Sequence, residues 1–466
     1  MTQYHLVFAD YAVIVGYFVV AMTAGLFAFR SAKRGTEDFF VASRRITLPA
    51  FVATTVASFY GGILGVGEYS YLYGLSNWFV FGVPYYLYAA IFAFKLAGTA
   101  NEARLMSIPD QLDRVYGKPS AILGASFLFL NIVPGAYVLM TTTLVQMAFG
   151  LSFPIALVIA ILTSSVYILT GGLRSVVYAD IVQFLLMFIG FIVLVVVAIY
   201  TLGGLPYLQQ HVPAANFTPT GGQPVAAVLV WYFIAMVTLV EPAFYQRSFA
   251  AKSPKTARNG MLISIACWFV FDFLTTTAGL YARALFPKLD QATTSYAVLA
   301  DALLPPLLKG LFWTAMFATV MSTVNSYSFL AAVTLGRDLF WRGLPERLRS
   351  EKRLTRLTQL GLVLSLAIAA LIASLNNSVI EIWRDFGSVF GPALVLPLIS
   401  SWRERWRMTP NGAFWAMVAT FVVSLSWTMS KHINNGNYWF GWEPIYPAIF
   451  IALTFWTVNL QMKNRQ

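Results

Sequence analysis

The sequence predicts an all-α polytopic protein that crosses a membrane about thirteen times, and three observations carry that prediction. Hydrophobic residues fill 58 % and charged residues 11 % of the 466 positions. A soluble domain holds roughly 25 % charged residues, so this chain lacks the polar surface to cover a globule. Apolar runs of the roughly 20 residues that a bilayer core demands recur along its whole length. The basic residues fall into alternate connections between those runs. Soluble enzyme, secreted disulfide scaffold and disordered chain are set aside on these grounds.

The first run, 9–29, has no basic residue before it, and the first to appear is Arg30, after the run. A secretory signal has the reverse order, so the run is read as a membrane helix with its N-terminus outside. The others lie near 47–73, 76–97, 119–149, 153–171, 175–202, 224–246, 259–286, 304–336, 354–376, 380–401, 411–430 and 443–462. Placing the connections alternately inside and outside puts 26 of the 31 Lys and Arg residues inside and leaves Arg283, Lys288, Lys309, Arg384 and Lys431 outside. A missed or invented helix would invert every later loop, so this asymmetry tests the count. The net charge of +12 is therefore topology, with affinity for anionic inner-leaflet lipids as a by-product, and not a nucleic-acid surface. The expected location is the plasma (inner) membrane, with the C-terminus cytoplasmic. Cys267, the one cysteine, excludes an intrachain disulfide and reads as a small buried hydrophobe.

Runs two to six and seven to eleven form two groups of five. Because five is odd, the second group has the opposite orientation, which is the condition for an inverted repeat. The chain accordingly divides into an extra helix and inner loop (1–46), a first repeat (47–202), a Gly- and Pro-rich outer loop (203–223), a second repeat (224–402) and two further helices (403–466).

Four segments carry chemistry. In VATTVASFYGGILGVGEYSYLYG, 52–74, Gly61, Gly62, Gly65 and Gly67 weaken a helix by roughly 1 kcal/mol each. Such an interruption either lines a cavity or ion site with freed carbonyls or lets helices pack closely. In FATVMSTVNSYSF, Thr319, Ser322, Thr323 and Ser326 form a hydroxyl stripe at spacings of three and four. Hydroxyl and carbonyl oxygens suit sodium, and the lack of His and Cys argues against a transition metal. The same hydroxyls could instead bond back to their own helix. In GGLRSVVYADIVQ, a turn at Gly171 and Gly172 precedes Arg174 at the membrane edge and Asp180 about two turns further in. An intramembrane carboxylate points to ion coordination, proton carriage or pairing, here with Arg174. In VEPAFYQRSFAAKS, Glu241 precedes Pro242 where a broken backbone can present a carboxylate to a cavity, while Arg247 and Lys252 read as anchors at the inner helix end. Glu68 and Asp272 are two more intramembrane acids, Glu68 toward an outer vestibule and Asp272 without an identified partner.

With GGLRSVVYAD, YQRSFAAKS, ASFYGG, and VMSTVNS followed by LGRDLF in this order, the chain resembles the sodium/solute symporter family over about 35–402. That group includes bacterial proline, galactose and sialic acid transporters. The resemblance implies a LeuT-like core of two inverted five-helix repeats, with an extra helix before it and further ones after. It implies a central sodium site with carbonyl ligands from Ala57, Tyr60 and Thr319 and hydroxyl ligands from Ser322 and Thr323. A second sodium, present in some members, would use Asp180 and Ser326, with Asn325 where a hydroxyl residue is expected. Solute would bind near midmembrane against Phe59, Tyr60, Ile63, Leu64, Glu241, Pro242 and Tyr245. Phe59 stands where the proline type has an Asp, and Ile63 and Leu64 stand where the sugar type has Glu and Gln. A polyhydroxylated solute finds few partners there, which favours an amphipathic, zwitterionic or cationic one facing Glu241.

The expected activity is sodium-coupled import of a small organic solute by alternating access, with the chain functional as a monomer and with no cofactor beyond Na+. Two alternatives share the architecture: proton coupling through Glu241, Asp180 or Asp272, and a solute sensor that moves nothing. Only LQMKNRQ follows the last helix, so no output domain is expected of a sensor. A membrane enzyme is disfavoured because His5, His211 and His432 all lie near the outside and no nucleophile and base pair is visible in the core.

Overall fold

Hydrocarbon offers a backbone N–H or C=O no water to bind, so an apolar run in a membrane closes its hydrogen bonds on itself as helix. The computed structural model describes residues 4–31, 35–165, 168–376 and 378–464, and within them every apolar run of the sequence is helical. We number these helices α1 (Phe8–Ser31), α2a (Leu48–Phe59) with α2b (Ile63–Tyr73), α3 (Trp78–Glu102), α4 (Lys118–Phe149), α5 (Phe153–Ser165), α6 (Ile168–Leu202) and α7 (Val225–Ala250). They continue as α8 (Pro254–Leu285), α9 (Leu308–Trp341), α10 (Glu351–Leu375), α11 (Val379–Ser401), α12 (Pro410–Ile433) and α13 (Ile445–Asn464). Among the described residues ten are long and apolar enough to cross a membrane alone, and the bent α2 pair makes an eleventh. The apolar parts of α1 and α5, Phe8–Thr23 and Phe153–Thr163, are shorter. Of the basic residues in the charge count, Lys33, Arg34 and Arg465 lie outside the described residues.

Two helices run further than hydropathy indicated. α8 begins at Pro254 because Ser253 caps it, its Oγ accepting from Thr256 N at 3.1 Å. α7 continues through the polar YQRSFA to Ala250 because that stretch is wholly buried in protein.

Four helices break: α4 is interrupted at Val133–Pro134, where Val133 has ψ 122° before the proline, and the other three each break for a local reason. α2 bends by 65° between Phe59 and Ile63. Gly61 packs on Thr323 and Gly62 on the Trp383 ring so closely that a Cβ at either place would overlap them. α7 breaks at Glu241–Pro242: proline has no N–H to continue the ladder and pushes the residue before it out of the helical region, so Glu241 has ψ 111°. The Glu241 side chain then caps the second half, Oε1 accepting from Ala243 N at 3.1 Å. α6 kinks at Gly172, whose φ of +59° is left-handed and whose Cα faces the Phe39 carbonyl.

α9 forms the centre of the bundle, with its whole apolar window buried, and packs against α6, α1, α10, α4 and α2a. α8 packs along both halves of α2, and α11 lies on α4, on the 235–240 turn of α7 and on α12 and α13. A short parallel bridge ties the approach to α2 to the exit of α7: Ile46 N donates to Ala250 O at 3.1 Å, and Lys252 N to Ile46 O at 3.0 Å. The two broken helices are thus joined at one end.

Candidate functional site

The end of α2a meets the hydroxyl stripe of α9. The last carbonyls of a helix have no partner within it, and here Ser322 Oγ lies 2.6 Å from Ala57 O and 2.9 Å from Thr319 O. A single hydroxyl proton cannot serve both. Thr319 turns its own hydroxyl back to Ala315 O at 2.7 Å, so what it offers the cluster is its carbonyl. Thr323 Oγ1 is buried without a partner, beside Gly61. Tyr60 closes α2a as its C-cap, and its ring leaves toward Asp272. The structure therefore gathers Ala57, Thr319, Ser322 and Thr323 at the break that Tyr60 ends, as neutral oxygens of the kind a hard monovalent cation accepts. Among the described residues no group of three His, Cys, Asp or Glu side chains could hold a metal.

About two turns along α6 from its kink, Asp180 is fully buried, but not as a free ligand. Arg247 Nη2 lies 3.6 Å from Asp180 Oδ2, donates to Ser326 Oγ at 2.6 Å and reaches Thr54 Oγ1 at 3.3 Å. Thr54 in turn donates to the same Asp180 oxygen. Two expectations are corrected here. Arg247 is not an anchor at the membrane edge: the second half of α7 is enclosed by protein, and a guanidinium that cannot reach water needs a carboxylate. Arg174 does not pair with Asp180, because it pairs with Asp38 on the 36–41 helix. Asp180 and Ser326 do come together, with Arg247 bound to both. Asn325 joins neither, and both its amide atoms are buried without partners.

Beside the two breaks lies a cavity of about 200 Å³. Of the residues expected to face the solute, Phe59, Tyr60 and Glu241 line it. Ile63, Leu64, Pro242 and Tyr245 are buried but lie off its wall. The Tyr245 hydroxyl donates to Leu239 O at 3.1 Å and its ring stacks on Trp402, which holds it in the core. Sequence reasoning missed most of the wall: Tyr85, Asn131, Tyr137, Thr238, Tyr327 and Trp383 arrive from five different helices. Nothing marks one aromatic among 16 % aromatic positions. Asp272, flagged only as an unpartnered acid, also lines the cavity and accepts from the hydroxyls of Tyr60 and Tyr86.

At the far end of α9 a second charge cluster joins that helix to the 108–116 helix, which is not one of the spans. Arg337 Nη2 is 3.0 Å from Asp110 Oδ2, Arg342 pairs with the other Asp110 oxygen, and Arg342 Nη1 is 2.5 Å from Asp113 Oδ2. Burial works to raise the Asp110 carboxyl, but the Arg337 and Arg342 guanidiniums outweigh it and hold it below the ordinary carboxylate value.

Residues 39–420 match the Sodium:solute symporter family. The chain is 26 % identical to the sodium/pantothenate symporter of Escherichia coli K12, covering 96 % of this chain and 95 % of that one. It is 24 % identical to the osmoregulated proline transporter OpuE of Bacillus subtilis 168, over 88 % and 87 %. Its fold matches a Na+-coupled sialic acid symporter solved in a substrate-bound outward-open state, with TM-score 0.82, 14 % identity and 98 % of both chains covered. It also matches Mhp1, a nucleobase-cation-symport transporter, at TM-score 0.53 and 12 % identity, over 91 % and 95 %. The architecture is that of LeuT-fold transporters. The chain belongs to the sodium:solute symporter family and is a sodium-coupled solute symporter.

Proposed function

We propose that this protein imports a small amphipathic organic solute, zwitterionic or cationic, together with one sodium ion held by the Ala57, Tyr60 and Thr319 carbonyls and the Ser322 and Thr323 hydroxyls. The observation that carries the ion site is the shortage of donors at the α2 break. Ser322 faces two carbonyls with one proton, and Thr323 Oγ1 is buried with nothing to bond. A cation there satisfies every one of these oxygens at once, and no formal charge is needed in the shell. Sodium bridges α2 and α9, so it binds the arrangement in which the two helices are close better than any other, and it biases the transporter toward the state that admits solute.

A single ion is supported by Arg247. Its guanidinium already supplies a positive charge against both Asp180 and Ser326. Uptake should therefore rise with sodium with a Hill coefficient of about 1, and Asp180→Asn should leave that steepness unchanged. The solute class is supported by Glu241 on the cavity wall and by the absence of Lys, Arg or His from the residues that line it. The E. coli relative is a pantothenate symporter and the B. subtilis relative a proline transporter; one solute is an anion and the other a zwitterion, so the cavity wall and not the family decides the class here. In this reading the protein lies in the plasma membrane with its N-terminus outside and its C-terminus in the cytoplasm, works as a monomer, and divides into repeats at 47–202 and 224–402.

The test is thermal unfolding of the purified protein in detergent. Sodium, but not potassium, should raise the midpoint, and replacing Ser322 and Thr323 together by Ala should abolish that rise. Unchanged sodium dependence in the double variant would show that the ion binds elsewhere.

A further inference from the structure

Asp272 lies in α8, 2 % exposed, with its carboxylate on the cavity wall. Asp38 and Asp180, two other buried acids, have Arg174 and Arg247. Asp272 has hydroxyls only: Tyr60 donates to one oxygen and Tyr86 to the other, and among the described residues no Lys or Arg side chain pairs with it. An ionised carboxylate has about four acceptor positions, so two remain for a ligand.

The surroundings say what that ligand is. The wall carries a second carboxylate, Glu241, and no basic side chain. In its ionised form each acid repels an anionic solute and attracts a cation in this water-poor space, and an arriving cation itself favours that form. The side chains of Tyr85, Tyr137, Trp231 and Trp383 also line the cavity, and an aromatic ring that offers its face to a cation attracts it through its quadrupole. Glu241 is fixed to a backbone N–H as the cap of the second half of α7, whereas Asp272 is held only by tyrosine hydroxyls, which can turn to make room for a ligand, so Asp272 is the better seat for a donor-bearing group.

Tyr60 gives this seat a second consequence. Its hydroxyl is on Asp272, and its carbonyl belongs to the end of α2a, where the ion is proposed to bind. We propose that Asp272 receives the ammonium group of the solute, and that Tyr60 transmits its arrival to the sodium site. This rests on the symport reading given above and adds to it the class of solute, an organic ammonium compound, and the residue that selects it.

Thermal stabilisation of the full-length protein in sodium and in potassium tests both parts, using phenethylamine, 2-phenylethanol and phenylacetate as probes of one skeleton and L-proline as a zwitterion. In sodium, the wild type should be stabilised by phenethylamine or L-proline and not by the alcohol or the acid. Asp272→Asn should weaken that ammonium binding roughly tenfold or more while keeping the sodium shift, which shows that it is folded. Asp272→Glu, which keeps the charge, should keep the preference. Tyr60→Phe should still bind the ammonium probe but lose the increase in sodium affinity that the probe brings, since coupling between two ligands is reciprocal. Equal stabilisation by phenylacetate, no stabilisation by either ammonium probe, or unchanged affinity in Asp272→Asn would overturn the proposal. A wild type indifferent to sodium would overturn the ion site and this coupling with it, whereas a sodium shift without ammonium selectivity would overturn only the role of Asp272.

Discussion

Arg247 is wholly inside the bundle, and Asp180 is what makes that position tolerable. Removing one partner of a buried ion pair leaves the other charged and unsolvated, at a cost of about 3–5 kcal/mol, while removing both costs far less. Arg247→Gln should therefore lower stability strongly, and adding Asp180→Asn to it should restore most of the loss. Denaturation of the two single variants and the double variant, read as a cycle, measures the coupling. Additive losses would mean that the 3.6 Å separation contributes nothing to stability. The two acids of the cavity differ from this pair because neither Glu241 nor Asp272 is placed to hold a helix against an arginine.

At the scale of elements, the broken helices are the working parts, and small residues set how closely their neighbours approach. Gly62 at the α2 break lies under the Trp383 ring of α11, and Trp383 also stands against Tyr137 of α4 on the cavity wall. Gly62→Ala places a methyl group where the ring is, and overpacking of this kind costs typically 1–3 kcal/mol. The expected result is a fall in solute uptake with the sodium-induced thermal shift preserved, because the ring moves into the cavity while Thr323 lies on the other side of the break at Gly61. Trp383→Leu in the same chain should recover part of the uptake. If Gly62→Ala transports normally, the ring is not a fixed part of the wall.

For the whole molecule, the charge cluster at the far end of α9 ties that central helix to the 108–116 helix and so to the entry of α4. The Asp110 carboxyl is held below its ordinary value in the folded protein. Its stabilisation is thus fully present above the unfolded carboxylate pKa of about 3.9, and is lost as pH falls through the lower folded value. Asp110→Asn should be less stable than the wild type at pH 7, and the difference should shrink as pH drops below about 4. Unfolding midpoints of the two proteins across that range decide it; a difference independent of pH would assign the loss to packing or capping, since Asp110 also accepts from Met106 N at 3.0 Å.

What the chain alone determined is whatever rests on local chemistry. Hydropathy is a property of consecutive residues, so the helices could be read from it. A proline, a left-handed glycine or a cluster of glycines weakens its own segment, so the interruptions at Gly61–Gly62, Gly172 and Glu241–Pro242 were legible too. The hydroxyl stripe of α9 was visible because its members recur at helical spacing. Tertiary structure decided the rest, because burying a charge or enclosing a space takes groups from distant segments. It set Arg247 rather than Arg174 against Asp180, took Tyr245 off the cavity wall into the core, and brought Tyr60 and Tyr86 to Asp272 across more than 180 positions. An acid inside a membrane is conspicuous in a sequence because hydrocarbon penalises it, but its partner is set by which helices pack together.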